Sequence, residues 1–394
     1  MQITVVGGTY REYCLEPAAD RLVGSGLRAA GLLASLGDSV DFVTAIDDES
    51  AQEFEAVCLA LGVAGRARSR TDAIAFTYDT PIHRAKRRGT ATAQPLQVQD
   101  DTVLAFGMVE TSWTVQADTL VIDPQHSTVD SLLAAANASR VTLILNEHEA
   151  RSATGQVDVE QAAKDLLSRG VEAVVVKRGA LGGIVAQHNT ITGFGAIATD
   201  RVHPLGSGDA FSAGYCHAWS SGADPRTAAQ HGSRVAAAHS ITGSPQLNAG
   251  LLDVLANPFP YPRTAPKVYL AGPFFSIAER QLIRTLRGAL IHLGAVVFSP
   301  LHEIGPGGDE VAEKDLEGLR TCHAVLAVLD GADPGTLFEV GWATRAGIPV
   351  IGFAEHTSDH AWTMLRGTGA FITDDLSSAL YNSAWAALTI RGGA

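Results

Sequence analysis

Two stretches of this chain combine acids, glycines and turns in ways that could do chemistry. The first is Gly206-Ser207-Gly208-Asp209-Ala210-Phe211, which precedes an Ala-rich helical stretch. Glycines at a helix start can expose consecutive backbone N–H groups, which is an anion site. An aspartate in that turn could take a proton from an attacking hydroxyl while the amides stabilise charge on a transferring phosphoryl group. An ordinary helix cap competes for the same residues, because Ser and Asp are favoured at helix starts. The second constellation pairs Tyr269-Leu270-Ala271-Gly272-Pro273-Phe274-Phe275 with the later run Asp330-Gly331-Ala332-Asp333-Pro334-Gly335-Thr336-Leu337-Phe338-Glu339. Splitting an N-glycosidic bond without a metal needs a nucleophile or electrostatic partner at the anomeric carbon and a group that assists the departing base. Glu339 and an aspartate could divide those roles. Thr336 to Glu339 also reads as a T-x-x-E capping box, in which Glu339 merely satisfies a backbone N–H.

These residues need strands and helices to position them. Residues 257–266 read NPFPYPRTAP, whose prolines forbid a helix interior and favour an extended connector. The expected division is therefore 1–256, a linker at 257–266, and 267–394. Before the linker, β-branched runs at 119–123, 141–145 and 171–177 alternate with Ala/Leu-rich helical stretches, implying a mostly parallel sheet covered on both faces. Residues 73–93 are polar, basic and strand-like around Thr77 and Tyr78, and fit either a small β lid or an edge hairpin. After the linker the pattern restarts, with strands at 267–271, 295–299, 324–330 and 349–353 and helices at 278–293 and 336–345. This is a second, smaller parallel α/β domain. Ligands bind beyond the carboxyl ends of such strands, so residues 272–275, 299–302 and 330–336 should share one crevice.

With 394 residues, the chain exceeds what one hydrophobic core usually serves. A formal charge of −13 repels polyanions, so no nucleic-acid polymer is expected as a partner. Cys14, Cys58, Cys216 and Cys322 are widely spaced, which favours reduced thiols over a disulfide framework or a zinc site. His302 and His323 read as polar neighbours, since no second ligand stands at metal-binding spacing. No signal peptide or run long enough to span a bilayer is legible, so a cytoplasmic location and no membrane partner are expected.

Residues 1–256 resemble the ribokinase-like (PfkB-type) carbohydrate kinase family. The GSGDAF turn is similar to that family's GAGDxF signature, and Gly24-Ser25-Gly26 leading to Leu36-Gly37 resembles its glycine-rich substrate motif. Asn146-Glu147-His148-Glu149 resembles its NxxE motif, and residues 176–183, with Gly179, its glycine-bearing ATP loop. The resemblance implies a three-layer α/β domain with a small β lid. It also implies Asp209 as catalytic base, Gly206, Ser207 and Gly208 as the anion hole, and Asn146 with Glu149 as organisers of magnesium-bound phosphate. ATP and Mg²⁺ are the implied cofactors, with no direct metal ligand from the chain. Glu12 stands where the family usually has a sugar-binding aspartate, and Arg28 where it has an asparagine. Arginine prefers planar acceptors such as carboxylate or phosphate. His203-Pro204-Leu205 replaces the residues that open the family's DTTGAGD, losing an acid of its monovalent-cation site.

Residues 267–388 resemble the nucleoside 2-deoxyribosyltransferase family, whose YLAGPFF and DGxDxGTxxEIG(Y/W)A motifs are nearly verbatim here. The resemblance implies a flavodoxin- or Rossmann-like domain without a cofactor, with Glu339 as nucleophile and Tyr269 as its orienter. It implies Asp315 and Asp333 as base-contacting acids and Gly272, Pro273, Phe274 and Gly335 as binding-loop residues. Trp362-Thr363-Met364 replaces an Asn-x-Met element that reaches the sugar 5′ end across a subunit interface in relatives, so a homo-oligomer is expected, with Met364 in that element. His323 stands where the family often has an aspartate. The expected function is a bifunctional enzyme: ATP-dependent phosphorylation of a pentose, sugar or nucleoside, and cleavage or transfer of the N-glycosidic bond of a nucleoside or nucleotide. A nucleotide-depleting effector whose first half is a sensor is the alternative.

Overall fold

The computed structural model describes residues 1–305, 307–356, 360 and 362–389. The chain divides into two compact units. One contains Met1–Arg178, Gly182–Ile197 and His203–Asn257; the other contains Gly179–Leu181, Ala198–Val202 and the chain from Pro258 on. Residues 257–266 adopt no helix or strand.

The first unit is built on a nine-stranded sheet in the order Thr190–Phe194, Gly183–Gln187, Ala173–Lys177, Ala136–Asn146, Trp113–Asp123, Leu96–Phe106, Gln2–Val6, Ser39–Ile46, Ala64–Ser69. All neighbours are parallel except the antiparallel meander formed by the first three. The expected strand at 119–123 is the end of a longer one, Trp113–Asp123, and that at 141–145 is part of Ala136–Asn146. Central strands are apolar without alternation because both faces are covered: Val174, Val175 and Val176 are fully buried. The helices Gly24–Ser35, Ser207–Ser220 and Pro225–Thr242 close one face, burying Leu27, Leu32, Tyr215 and Trp219 completely. Each such apolar side chain contributes about 1.5–3 kcal/mol by leaving water.

Residues 73–93 contribute to a separate sheet. Ala75–Tyr78 and Lys86–Arg88 join Ala19–Leu22 and Arg11–Cys14 in a four-stranded sheet. This is the lid of the two arrangements that the sequence allows. Its apolar underside is a small cluster of Tyr10, Ile74, Phe76 and Ala91.

The second unit is a five-stranded parallel sheet in the order Val296–Phe298, Lys267–Ala271, Ala324–Val328, Val350–Phe353, Phe371–Thr373. In chain order this is 2-1-3-4-5, so the direction of winding reverses between Lys267–Ala271 and Ala324–Val328, where such sheets open a crevice. Helices Ile277–His292, Ala312–Arg320, Pro334–Arg345 and Leu376–Thr389 complete it. The last strand and last helix carry no recognisable motif, and the sequence reading does not include them. Among the described residues, no helix is long and apolar enough to cross a membrane.

Two candidate active sites

In the first unit, Asp209 lies in the opening turn of helix Ser207–Ser220, which starts at Gly206 in the left-handed region, φ 78°, with no side-chain cap. The cap account of this turn therefore fails: neither Ser207 nor Asp209 closes the helix end. Arg28 Nη1 donates to Asp209 Oδ2 at 2.6 Å, and its Nη2 donates to Glu12 Oε2 at 2.6 Å. Gln125 Nε2 donates to the other Asp209 oxygen at 2.9 Å from a left-handed backbone, φ 47°. A non-glycine residue held there costs on the order of 1 kcal/mol or more, which the surrounding structure must offset. Burial pushes the Asp209 carboxyl up, and the Arg28 charge opposes that shift. Gly24 opens its helix at φ 75°, and at Gly26 a side chain would strike the Gly7 backbone, so both glycines serve close packing under the site.

Three further residues complete this site: Asp123 and Ser212 lie outside every motif, and Lys177 lies within residues 176–183 without a role of its own there. Lys177 Nζ donates to Asp123 Oδ2 at 2.9 Å and lies 3.5 Å from the Gly208 carbonyl, while Ser212 Oγ donates to Asp123 at 2.8 Å. Burial disfavours the Lys177 ammonium, but the charges of Asp123 and Glu149 more than reverse this and raise its pKa. The legible signal is a charged residue closing the apolar end of a parallel strand, as Asp123 does after Leu120-Val121-Ile122 and Lys177 after Val174-Val175-Val176. Asn146 and Glu149 form a reciprocal capping box: Asn146 Oδ1 accepts from the Glu149 amide at 2.8 Å, and Glu149 Oε2 from the Asn146 amide at 2.7 Å. Burial, and then the Asp123 charge, push the Glu149 carboxyl up to about 7. Gly179, at φ 54°, groups with the second unit and not with the Asp209 residues.

In the second unit, Tyr269 ends inside the buried cluster below the crevice, and its hydroxyl donates to Glu339 Oε1 at 2.6 Å. Glu339 does not cap its helix. Helix Pro334–Arg345 starts two residues earlier than expected, and Asp333 is its N-cap, accepting from the Thr336 amide at 2.7 Å and from Thr336 Oγ1 at 2.9 Å. Glu339 is the sixth residue, beyond the first turn. Burial pushes its carboxyl up to about 7; the Tyr269 bond pulls it down, while Asp315 and Asp333 add to the rise. Burial and then the Glu339 charge keep the Tyr269 phenol protonated. Asp315 is also pushed up by burial, and its Oδ1 is buried without a hydrogen-bond partner.

The turn after the first strand is held by Arg280, whose Nη1 donates to the carbonyls of Phe274 at 3.0 Å and Phe275 at 2.9 Å. A side chain at Gly272 would strike Ile283 and Val328. Pro273 follows in this turn, and Gly335 lies in the first turn of the Glu339 helix, beside Asp333 Oδ2. Asp330 accepts the Glu355 amide at 2.8 Å and the His356 amide at 3.1 Å, so it builds the crevice wall. Trp362 is buried in the same apolar cluster as Tyr269, whereas Met364 is 78% exposed. His323 accepts the Lys267 amide at 3.0 Å, and His302 Nδ1 lies 3.0 Å from Ser299 Oγ. Among the described residues, no group of three or more His, Cys, Asp or Glu is placed to hold a metal ion.

A family model for pfkB family carbohydrate kinases matches residues 103–246, and one for nucleoside 2-deoxyribosyltransferases matches residues 268–377. The chain joins a PfkB-type domain to a deoxyribosyltransferase-like domain. Fructokinase from Vibrio cholerae O395, solved with fructose, ADP and calcium ion, is 15% identical with a TM-score of 0.52, covering 64% of this chain and 99% of that one. A double mutant of that fructokinase, solved with fructose, ADP and potassium ion, gives 15% and 0.52, with 64% and 98% covered. Ribokinase from Thermotoga maritima is 20% identical, with 64% and 97% covered and a TM-score of 0.46. None of the curated proteins compared matches the chain. The fructokinase likeness shows the ribokinase-like fold of the PfkB-type domain. Glu12, Gly24, Gly26 and Arg28 precede its matched span, and Asp123, Asn146, Lys177 and Asp209 fall inside it.

Proposed function

We propose that the chain is a bifunctional enzyme of nucleoside and nucleotide metabolism, in which one domain phosphorylates a sugar or nucleoside and the other breaks or exchanges an N-glycosidic bond. The observation that carries this reading is the 2.6 Å bond from Tyr269 to a half-buried Glu339 that has no helix-capping duty. With Oε1 held by the phenol, Oε2 of Glu339 attacks the anomeric carbon. The carbon–nitrogen bond breaks, its electron pair leaves with the base, and a glycosyl ester remains on the carboxylate. Asp315, whose buried Oδ1 lacks a partner, is the candidate to hold or protonate the departing base. Water or a second base then attacks the same carbon and frees Glu339. A carboxyl that titrates at about 7 is partly ionised at neutral pH, and that fraction is the nucleophile.

In the PfkB-type domain, Asp209 is the proposed base for the acceptor hydroxyl. Magnesium–ATP fits the residues present. The start of helix Ser207–Ser220 has no capping side chain to compete with a phosphate, and Lys177 stands beside it. Glu149, held near 7 by burial and by Asp123, would gain a counter-charge from the metal. The nucleotide would supply the transferred phosphoryl group, and the metal would screen its charge.

The test is incubation of the full chain with nucleosides, nucleoside monophosphates and pentoses, with and without ATP and Mg²⁺, followed by mass spectrometry. Free base from a nucleoside or nucleotide, and ADP with a phosphorylated product, are the expected results. If no base is released from any of them, the glycosidic assignment is overturned; if no ADP is formed, the kinase assignment is.

A further inference from the structure

Arg28 is only 5% exposed and bridges two carboxylates, Glu12 and Asp209, at 2.6 Å each. Its guanidinium lies against the Gly206 turn so closely that a side chain at Gly206 would collide with it. The guanidinium occupies one Asp209 oxygen and favours the ionised form against the larger effect of burial, so its withdrawal would leave the carboxylate a stronger base. A neutral hydroxyl has nothing with which to draw the guanidinium away. An oxyanion has, since guanidinium pairs with phosphate or carboxylate through two parallel hydrogen bonds.

A second arginine, Arg21, stands beside Arg28. A cavity of about 80 Å³ adjoins Arg28 and is lined by Glu12, Arg21, His203, Leu205 and Gly243 among others. This space can admit a group of phosphate or carboxylate size. Arg21 already donates to the Gly243 carbonyl there at 2.9 Å. On the lid, exposed Arg84 and Arg87 act on His126, which stacks on Phe76 at 5.9 Å and follows Gln125, the residue bonded to Asp209.

We infer that the PfkB-type domain takes an acceptor that already carries a phosphate monoester, and that Arg28 releases Asp209 to hold that group. This rests on the reading of Asp209 as base. The freed Asp209 accepts the proton of the acceptor hydroxyl, whose oxygen bonds to the γ-phosphorus of a nucleoside triphosphate. The bond from that phosphorus to the bridging oxygen breaks, and the diphosphate leaves. Base release from a nucleoside 5′-monophosphate is the class of reaction that would supply such an acceptor, a pentose 5-phosphate.

The experiment measures binding and turnover separately on the full chain. Calorimetry compares ribose 5-phosphate with ribose, a nucleoside monophosphate with its nucleoside, and a sugar acid with its sugar; ADP release with Mg-ATP is followed for the same set. At least one phosphorylated compound should bind and turn over roughly 100-fold better in kcat/KM than its neutral counterpart. Arg28→Gln should erase the preference. The exposed lid pair Arg84→Gln with Arg87→Gln, which threatens no buried contact, should raise KM for the phosphorylated acceptor roughly tenfold with kcat little changed. Equal or better binding of the neutral compounds, or a preference confined to the sugar acid, overturns the proposal. Arg28-dependent binding of a phosphate monoester without ADP formation from any acceptor would keep the anion site and overturn Asp209 as a working base.

Discussion

Tyr269 and Glu339 meet at 2.6 Å from different elements, one on the first strand of its sheet and the other on a helix that begins after the third. The strand end fixes the phenol, the helix fixes the carboxylate, and the crevice between them is where the winding of the sheet reverses. Removing the hydroxyl alone isolates its part in the chemistry. Tyr269→Phe should slow base release roughly tenfold to a hundredfold, the equivalent of one hydrogen bond to a charged group. Steady-state assays of base release read this directly.

The pH dependence should be set by Glu339. Only its ionised form attacks, so kcat/KM for base release should climb as pH rises through about 7 and level off above it. The Tyr269 bond lowers the carboxyl's pKa, so in Tyr269→Phe the rising limb should move to higher pH. An unchanged limb would mean that another group titrates.

Stability should follow the opposite course. The Glu339 carboxyl titrates at about 7 in the folded chain against 4.5 ordinarily. Between those values the folded chain keeps a proton that the unfolded chain has released, so stability falls as pH rises through that window. Glu339→Gln removes the penalty. The variant should melt higher than the parent at pH 8, the difference should vanish below about pH 4.5, and base release should drop by orders of magnitude.

Asp333 carries the load that Glu339 does not. Asp333→Ala should cost about 1 kcal/mol as a lost N-cap, measured by denaturant unfolding. Base release should weaken through a frayed helix start, and Asp333→Asn, which retains an accepting oxygen, should recover most of the stability.

For the PfkB-type domain, Asp209→Asn should lower phosphoryl transfer about 100-fold or more while nucleotide binding persists. Base release in the same protein should be unchanged. A variant that turns ATP over at the parental rate would show that the base lies elsewhere.

Much of the architecture was legible because parallel sheets write themselves as apolar runs that end in polar residues. The crevice residues 272–275, 299–302 and 330–336 do follow adjacent strands of the second sheet. Capping was less legible. Thr336-x-x-Glu339 has the spacing of a capping box, but Asp333-Pro334 starts the helix one turn ahead, because proline suits the first helical position and aspartate the cap before it. Asn146-x-x-Glu149 is the reverse case: the resemblance assigns both residues to phosphate chemistry, whereas their side chains bond to each other's backbone. Lys177 and Asp123 could not be paired from spacing, since 54 residues separate them and only the parallel register of the sheet brings their strand ends together. The grouping of residues 179–181 and 198–202 with the second unit has no compositional signature at all.

The division of labour between Asp333 and Glu339 also bears on how such a domain can evolve. The residue that anchors the helix and the residue proposed to react are different, and the second weakens the fold as pH rises through about 7. Drift at position 339 to a neutral residue that still accepts the Tyr269 hydroxyl would therefore meet little folding barrier, and could even be favoured in a warmer cell. A lineage that lost the carboxylate would retain an intact crevice, ready to serve as a receptor for the proposed ligand. Silent, ligand-gripping descendants of this domain are thus to be sought among chains that keep Tyr269 and Asp333 but have a neutral residue at 339.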